Sequence, residues 1–229
     1  MIDKGNGEAC SLSSRIVYVW QVPVRLVHWT NVLSIITLSV TGFYIGAPFM
    51  HAIDTTQNIM GNIRFVHFTA AYVFLVSVLA RITWSFMGNK YSSWRTWFPF
   101  SRPHWGEFLN ALQYYILIGG KKPTAVGHTA LALITYFFLH ILYGLMLLTG
   151  FAFYSMGRPE SFVTVLMGRW VLNFVSPQDL RLYHHIIMYV ILTFAAVHVY
   201  IAWWFDLVER NGTMSSMFSG NKFFHGENR

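Results

Sequence analysis

Four apolar stretches, each long enough to cross a lipid bilayer, constrain this chain more than any other feature. They run from about Leu26 to Gly46, Phe65 to Met87, Thr129 to Tyr154 and Tyr183 to Phe205. A spanning helix needs ~20 apolar residues. In hydrocarbon the backbone must satisfy its own polar groups, so separate apolar runs of this length read as helices. A soluble domain with one large core is the rival reading. It fails because charged residues make up only 11% of the chain, where a soluble domain carries about 25%. The expected fold is an all-α integral membrane protein, a four-transmembrane-helix bundle forming one domain over residues 1–229.

The connections orient that bundle. Four spans put both termini on one side. The N-terminal tail, the connection over 88–127 and the C-terminal tail hold eleven Lys and Arg, whereas the opposite connections hold four: Arg64, Arg158, Arg169 and Arg181. Arg81 lies within the second span, near enough to its end to reach the first side. Basic loops stay in the cytoplasm, so both termini are expected there. The same rule accounts for the net charge of +7 with no nucleic acid among the partners. Cys10 is the one cysteine and can close no intramolecular disulfide. Residues 1–15 are polar and lack the apolar core of a signal peptide.

Short interfacial helices are expected beside the spans. Phe108–Ile118 is one candidate, with Trp105, Tyr114 and Tyr115 at the headgroup level. Val163–Phe174 is a second. Residues 207–229 read as a polar tail rich in Gly, Ser and Asn.

Histidine is the informative residue type. The chain has ten, against nine carboxylate residues. His51, His104 and His225 fall in connections or the tail and read as surface residues. An ionisable group inside a span is costly and is a functional candidate by default. In the fourth span, His184 and His198 are 14 residues apart. On a helix that spacing returns to within about 40° of one face and separates them by ~21 Å along the axis. His185 lies about 140° from His198, so it is expected to face headgroups or a subunit interface. Matching depths across antiparallel spans then gives two pairs, His67 with His184 outside and His28 with His198 inside. Facing helices of a bundle are where such cofactor sites are built, and neutral imidazole is a good haem-iron ligand. Two bis-histidine haems would form an electron path across the membrane. His140 has no partner of matching depth. It is read as hydrogen-bonding inside the bundle, replacing one of these ligands, or moving protons.

Other chemistry is absent from the sequence. There is no phosphate-binding or dinucleotide glycine motif, no Cys-x-x-Cys and no His-Glu-x-x-His. Thr41-Gly42-Phe43 and Thr149-Gly150-Phe151 recur at the outer ends of spans one and three, where small residues permit close approach of a helix or a flat ligand.

Several of these segments also carry a resemblance. Val22-Pro23-Val24-Arg25-Leu26-Val27-His28-Trp29, Thr41-Gly42-Phe43-Tyr44-Ile45-Gly46, Ile63-Arg64-Phe65-Val66-His67-Phe68, the stretch Arg81 to Ser92, and Tyr183-His184 through His198-Val199-Tyr200 together resemble the b-type cytochrome subunit of membrane-bound nickel–iron hydrogenases. The resemblance covers roughly residues 16–220. It implies a membrane cytochrome with haem b between its helices and His28, His67, His184 and His198 as axial ligands. It implies anchorage of an iron–sulfur small subunit and a nickel–iron large subunit on the outer face of a bacterial cytoplasmic membrane. Electrons from hydrogen would pass through haem b to quinone in a respiratory chain. The chain would be a non-catalytic electron-transfer subunit, apart from a quinone-reduction site near His28 and His198. Arg25, Trp29, His128 and Tyr200 are in range of that site by depth. Where that family usually has Trp-His-Arg, this chain has Tyr183-His184-His185. The formate dehydrogenase cytochrome subunit shares the layout and is the alternative within this class. Two readings lie outside it: a haem-free proton-pathway membrane protein, and a purely structural anchor.

Overall fold

A computed structural model describes residues 14–49, 58–94, 106, 108–110, 113, 130–157, 160, 162–209 and 212–225. The elements in chain order are β1 (Ser14–Tyr18), α1 (Val22–Gly46), α2 (Ile59–Met87), α3 (Ala130–Gly157), α4 (Phe162–Met167), a 3-10 helix (Arg169–Asn173), α5 (Pro177–Glu209), α6 (Thr213–Ser219) and β2 (Asn221–His225). Helices α1, α2, α3 and α5 are each long and apolar enough to span a bilayer.

Local chemistry sets the helix ends. Pro23 sits in the first turn of α1 after an extended Gln21, where its missing N–H costs nothing. That start lies four residues before the apolar run. The Asn58 side chain caps α2 by accepting from the Gly61 N–H at 3.0 Å. At the start of α5, the Ser176 hydroxyl accepts from the Asp179 N–H at 3.2 Å and donates to its carboxylate at 2.7 Å, a reciprocal cap. Threonines inside the spans donate to the carbonyl four residues earlier, as Thr37, Thr69, Thr83 and Thr135 do. Their hydroxyls therefore need no water.

The packing is inverted relative to a soluble protein. Large apolar side chains such as Leu33, Val40, Phe65 and Val76 are exposed, while Ser34, Ser39, Thr41, Ser77 and Thr149 are buried. Small residues between helices permit close approach in a membrane, where large ones gain nothing by leaving lipid. An apolar cluster of Phe74 and Val78 from α2, Leu139, Tyr143, Leu147 and Phe151 from α3, and Ile191 from α5 fills the centre. Helix α4 and the 3-10 helix fold back on α3 so closely that a methyl group at Gly168 would lie 2.3 Å from the Ala152 nitrogen. This region satisfies the expectation of a surface helix over Val163–Phe174, split into two short pieces. Most of the expected Phe108–Ile118 helix, with Trp105, Tyr114 and Tyr115, lies outside the described residues.

The C-terminal region corrects the expectation of a polar tail. Helix α6 and strand β2 form a clasp with β1, which pairs antiparallel with β2 from Ser14↔His225 to Tyr18↔Asn221. The Val19 and Trp20 N–H groups donate to the Gly220 carbonyl at 2.9 and 3.1 Å, and Trp20 Nε1–H donates to the Ser216 hydroxyl at 3.1 Å. Gly220 has φ +87°, and a Cβ there would lie 2.5 Å from the Tyr18 ring, so only glycine fits. The exit of α2 joins the clasp. Gln21 Oε1 accepts from Trp84 Nε1–H at 3.1 Å and the Asn89 N–H at 2.9 Å, while the Asn89 side chain donates to the Val19 carbonyl at 3.0 Å. The bundle thus has a near end, closed by both terminal segments, and a far end where α1 and α3 finish and α2 and α5 begin.

Candidate functional site

The far-end histidines are held by a repeated arrangement. On α1 the Thr41 hydroxyl lies 2.6 Å from the Thr37 carbonyl and 3.2 Å from that of Leu38, and 2.8 Å from Nδ1 of His67 on α2. On α3 the Thr149 hydroxyl lies 2.8 Å from the Leu145 carbonyl, 3.1 Å from that of Met146, and 2.8 Å from Nδ1 of His184 on α5. The following residue in each case is glycine. A methyl at Gly42 would stand 3.5 Å from His67 Cε1 and 3.9 Å from Met188 Sδ, and one at Gly150 would stand 3.3 Å from His184 Cε1. Met188, one turn beyond His184, borders the same glycine as His67, which brings α2 and α5 to one place on α1. The Thr-Gly-Phe repeat was legible in the sequence as a pair of small-residue openings, but the role of its hydroxyls was not.

Toward the near end, the His28 and His198 rings face each other across α1 and α5, with centroids 6.5 Å apart and planes at 57°. That separation leaves room for one metal atom bonded at about 2 Å to a nitrogen of each ring. The His198 ring stacks on Phe194 at 5.6 Å. His28 lies edge-on to Trp29 at 5.1 Å. Nδ1 of His28, Nε of Arg25 and Oδ1 of Asn31 are buried without a hydrogen-bond partner. Buried polar atoms in native proteins are nearly always paired, so three orphans on one stretch of α1 fit a region completed by a group other than this chain's side chains. Asn31 was not singled out from the sequence, because one Asn in an apolar run gives no pattern.

Both sites suit a flat iron porphyrin on the chemistry of their donors. Each offers two imidazoles from different helices, bordered by aromatic rings, and at the far end by glycine-made space. Among the described residues no cluster of three or more His, Cys, Asp or Glu forms a conventional ion site.

The remaining candidates fall as follows. His140 Nδ1–H donates to the Tyr136 carbonyl in its own helix at 2.7 Å, matching the expectation of a hydrogen bond inside the bundle. His140 and Tyr136 also lie within electrostatic reach of Arg81 on α2, whose guanidinium donates to the Ser92 carbonyl at 3.3 Å. His185 is half-buried at the far end. Its Nδ1–H donates to the Arg181 carbonyl at 2.7 Å, and its Nε2 abuts Gly46, where a methyl would lie 3.2 Å away, so it packs on the end of α1. Of the four residues considered for the quinone side, Arg25 donates to the Phe218 carbonyl. Trp29 Nε1–H donates to the Met217 carbonyl at 3.2 Å and its ring lies 4.7 Å from that of Phe218. Tyr200 is exposed and stacks on Trp204 at 6.5 Å. His128 lies outside the described residues.

Comparisons with known proteins identify the family. Residues 19–220 match the model of the family described as prokaryotic cytochrome b561. A protein of Cupriavidus necator named "Probable Ni/Fe-hydrogenase B-type cytochrome subunit" is 38% identical over 221 residues, covering 94% of this chain and 91% of that protein. A protein of the same name from Bradyrhizobium diazoefficiens is 39% identical over 216 residues, covering 91% and 86%. The "Probable Ni/Fe-hydrogenase 1 B-type cytochrome subunit" of Escherichia coli is 31% identical over 211 residues, covering 89% of each. Both histidine pairs lie inside the matched span, which leaves out both strands of the clasp, β1 and β2. This four-helix membrane chain belongs to the prokaryotic cytochrome b561 family of b-type cytochromes.

Proposed function

We propose that this chain is the di-haem b membrane anchor and electron-transfer subunit of a respiratory uptake hydrogenase. It would take electrons from an iron–sulfur small subunit, itself joined to a nickel–iron large subunit, and deliver them to quinone. The reading is supported most directly by the pairing of histidines at two depths, His67 with His184 and His28 with His198. The printed names of the relatives support the choice of hydrogenase as partner. Haem b supplies a reversible one-electron change between ferric and ferrous iron. The residues of this chain would bind, orient and insulate: the four imidazoles would hold the iron, Phe194 and Trp29 flank the near-end rings, and the central apolar cluster would exclude water between the sites.

On this reading residues 1–229 are one membrane cytochrome b domain in the bacterial cytoplasmic membrane. The near end, with both termini, faces the cytoplasm, and the hydrogenase sits on the outer face beside His67 and His184. Quinone would be reduced toward the near end, in reach of Arg25, Trp29, His128 and Tyr200. The orphaned Arg25, His28 and Asn31 atoms offer hydrogen bonds on that side.

Haem content per purified chain, with oxidised and reduced spectra, tests the proposal. Two low-spin b haems are expected. His198→Ala and His67→Ala should each remove one haem and leave the other. Absence of a b-type spectrum, or loss of neither haem in the variants, refutes it.

A further inference from the structure

The far-end geometry points to a role for Thr41 and Thr149 that goes beyond packing. We propose that they are twin positioning residues, which hold His67 and His184 with Nδ1 protonated and Nε2 turned toward the metal. The inference rests on the di-haem reading above and concerns residues that do not themselves touch iron.

A hydroxyl has one proton. In both threonines that proton is engaged by the preceding turn of the helix, at 2.6 Å from the Thr37 carbonyl for Thr41 and 2.8 Å from the Leu145 carbonyl for Thr149. The oxygen can therefore meet the imidazole only as an acceptor. Nδ1, at 2.8 Å in both cases, must carry the hydrogen. A neutral ring protonated at Nδ1 has its lone pair at Nε2. Hydrogen bonds to the non-ligating nitrogen fix ring orientation and raise ligand basicity in metal sites.

Two controls lie in the same molecule. His140 and His185 also donate from Nδ1, but to carbonyls of their own helices, Tyr136 and Arg181. Among the described residues, His67 and His184 are the two whose Nδ1 meets the hydroxyl of a threonine on a different helix, each beside the glycine that follows that threonine. This distinction selects His184 over its neighbour His185, which sequence spacing alone separates only by angle. The device is duplicated, α1 acting on α2 and α3 acting on α5, so both ligands of one site are tuned alike. Among the described residues, His28 Nδ1 meets no such acceptor.

Substitution in the intact complex tests the assignment. Thr41→Val and Thr149→Val keep the shape and remove the acceptor, whereas Thr41→Ser and Thr149→Ser keep it. Redox titration and low-temperature electron paramagnetic resonance of the purified protein read each haem separately. Each Val variant should raise the midpoint potential of one haem and move its largest g value, with the other haem unchanged and the Ser variant restoring both signals. Loss of that one haem in the Val variant, with recovery in the Ser variant, gives the same support. The proposal is overturned if neither signal moves, if both haems shift equally, or if Ser fails to restore what Val removes. A wild-type protein with two haems and unresponsive variants overturns this role alone. A wild-type protein without haem overturns the di-haem reading as well.

Discussion

The two ends of the bundle solve the same problem by different means. At the far end the histidines are steadied by neighbours one helix away, through Thr41 and Thr149, each already anchored to its own helical turn. Everything needed lies on the spans themselves. At the near end, His28 has no acceptor for Nδ1. Its surroundings are fixed from outside the spans, through Trp29, whose indole bonds to the backbone of α6, and through Arg25, which bonds the next carbonyl of the same helix. A site built on helix faces is set once the helices pack. A site leaning on terminal segments depends on contacts between residues 188 and 193 positions apart.

Removal of residues 209–229 should separate the ends most strongly. With α6 and β2 gone, haem per chain is expected to fall by about half, the near-end signal disappearing while the far-end one persists. Retention of both would break the link between clasp and near-end site. Single glycines sharpen the same contrast. Gly220→Ala forces a Cβ onto a left-handed backbone and into Tyr18, at a cost of about 2 kcal/mol. Gly168→Ala drives a methyl into the α3 backbone, at about 3 kcal/mol or more. Thermal melting in detergent should show both losses. Haem spectra should divide them, with the first perturbing the near end and the second the far end. A smaller effect is expected within the far end. Gly150→Ala must push the His184 ring by a few tenths of an ångström, whereas Gly42→Ala only reaches ordinary contact with His67. Only the first should shift the far-end spectrum, and equal shifts would contradict the geometry. Least of all, Ser176→Ala removes the α5 cap and should cost about 1 kcal/mol, with neither haem signal displaced.

The sequence exposes the far end better than the near end, for a physical reason. Span membership follows from runs of apolar residues, and helical arithmetic places His184 and His198 on one face because both lie in one uninterrupted helix. The Thr-Gly-Phe repeat is visible for the same reason. By contrast, a β1–β2 pair that joins Ser14 to His225 leaves no local trace, and α6 reads as a polar tail because its seven residues are too few to show a helical period, while the partners that hold it, Trp20, Arg25 and Trp29, lie far off in sequence. Trp84 and Asn89 belong to a segment whose resemblance to a family was legible, and Gln21 precedes another. The hydrogen bonds that join them were not legible. His185 shows a limit of another kind. Its angle from His198 separated it from the face of His184 and His198, but a helix wheel does not say which neighbour stands beside it, and the structure sets its Nε2 against Gly46.

The terminal clasp also fixes an order of events in time. Chains are made from the N-terminus, and the Trp20 indole waits 196 residues for the Ser216 hydroxyl that it meets in the finished protein. Every span has been synthesised before that contact can form. The mouth of α1, with His28 nearly two turns inside it, therefore cannot be clasped until all four spans have been made.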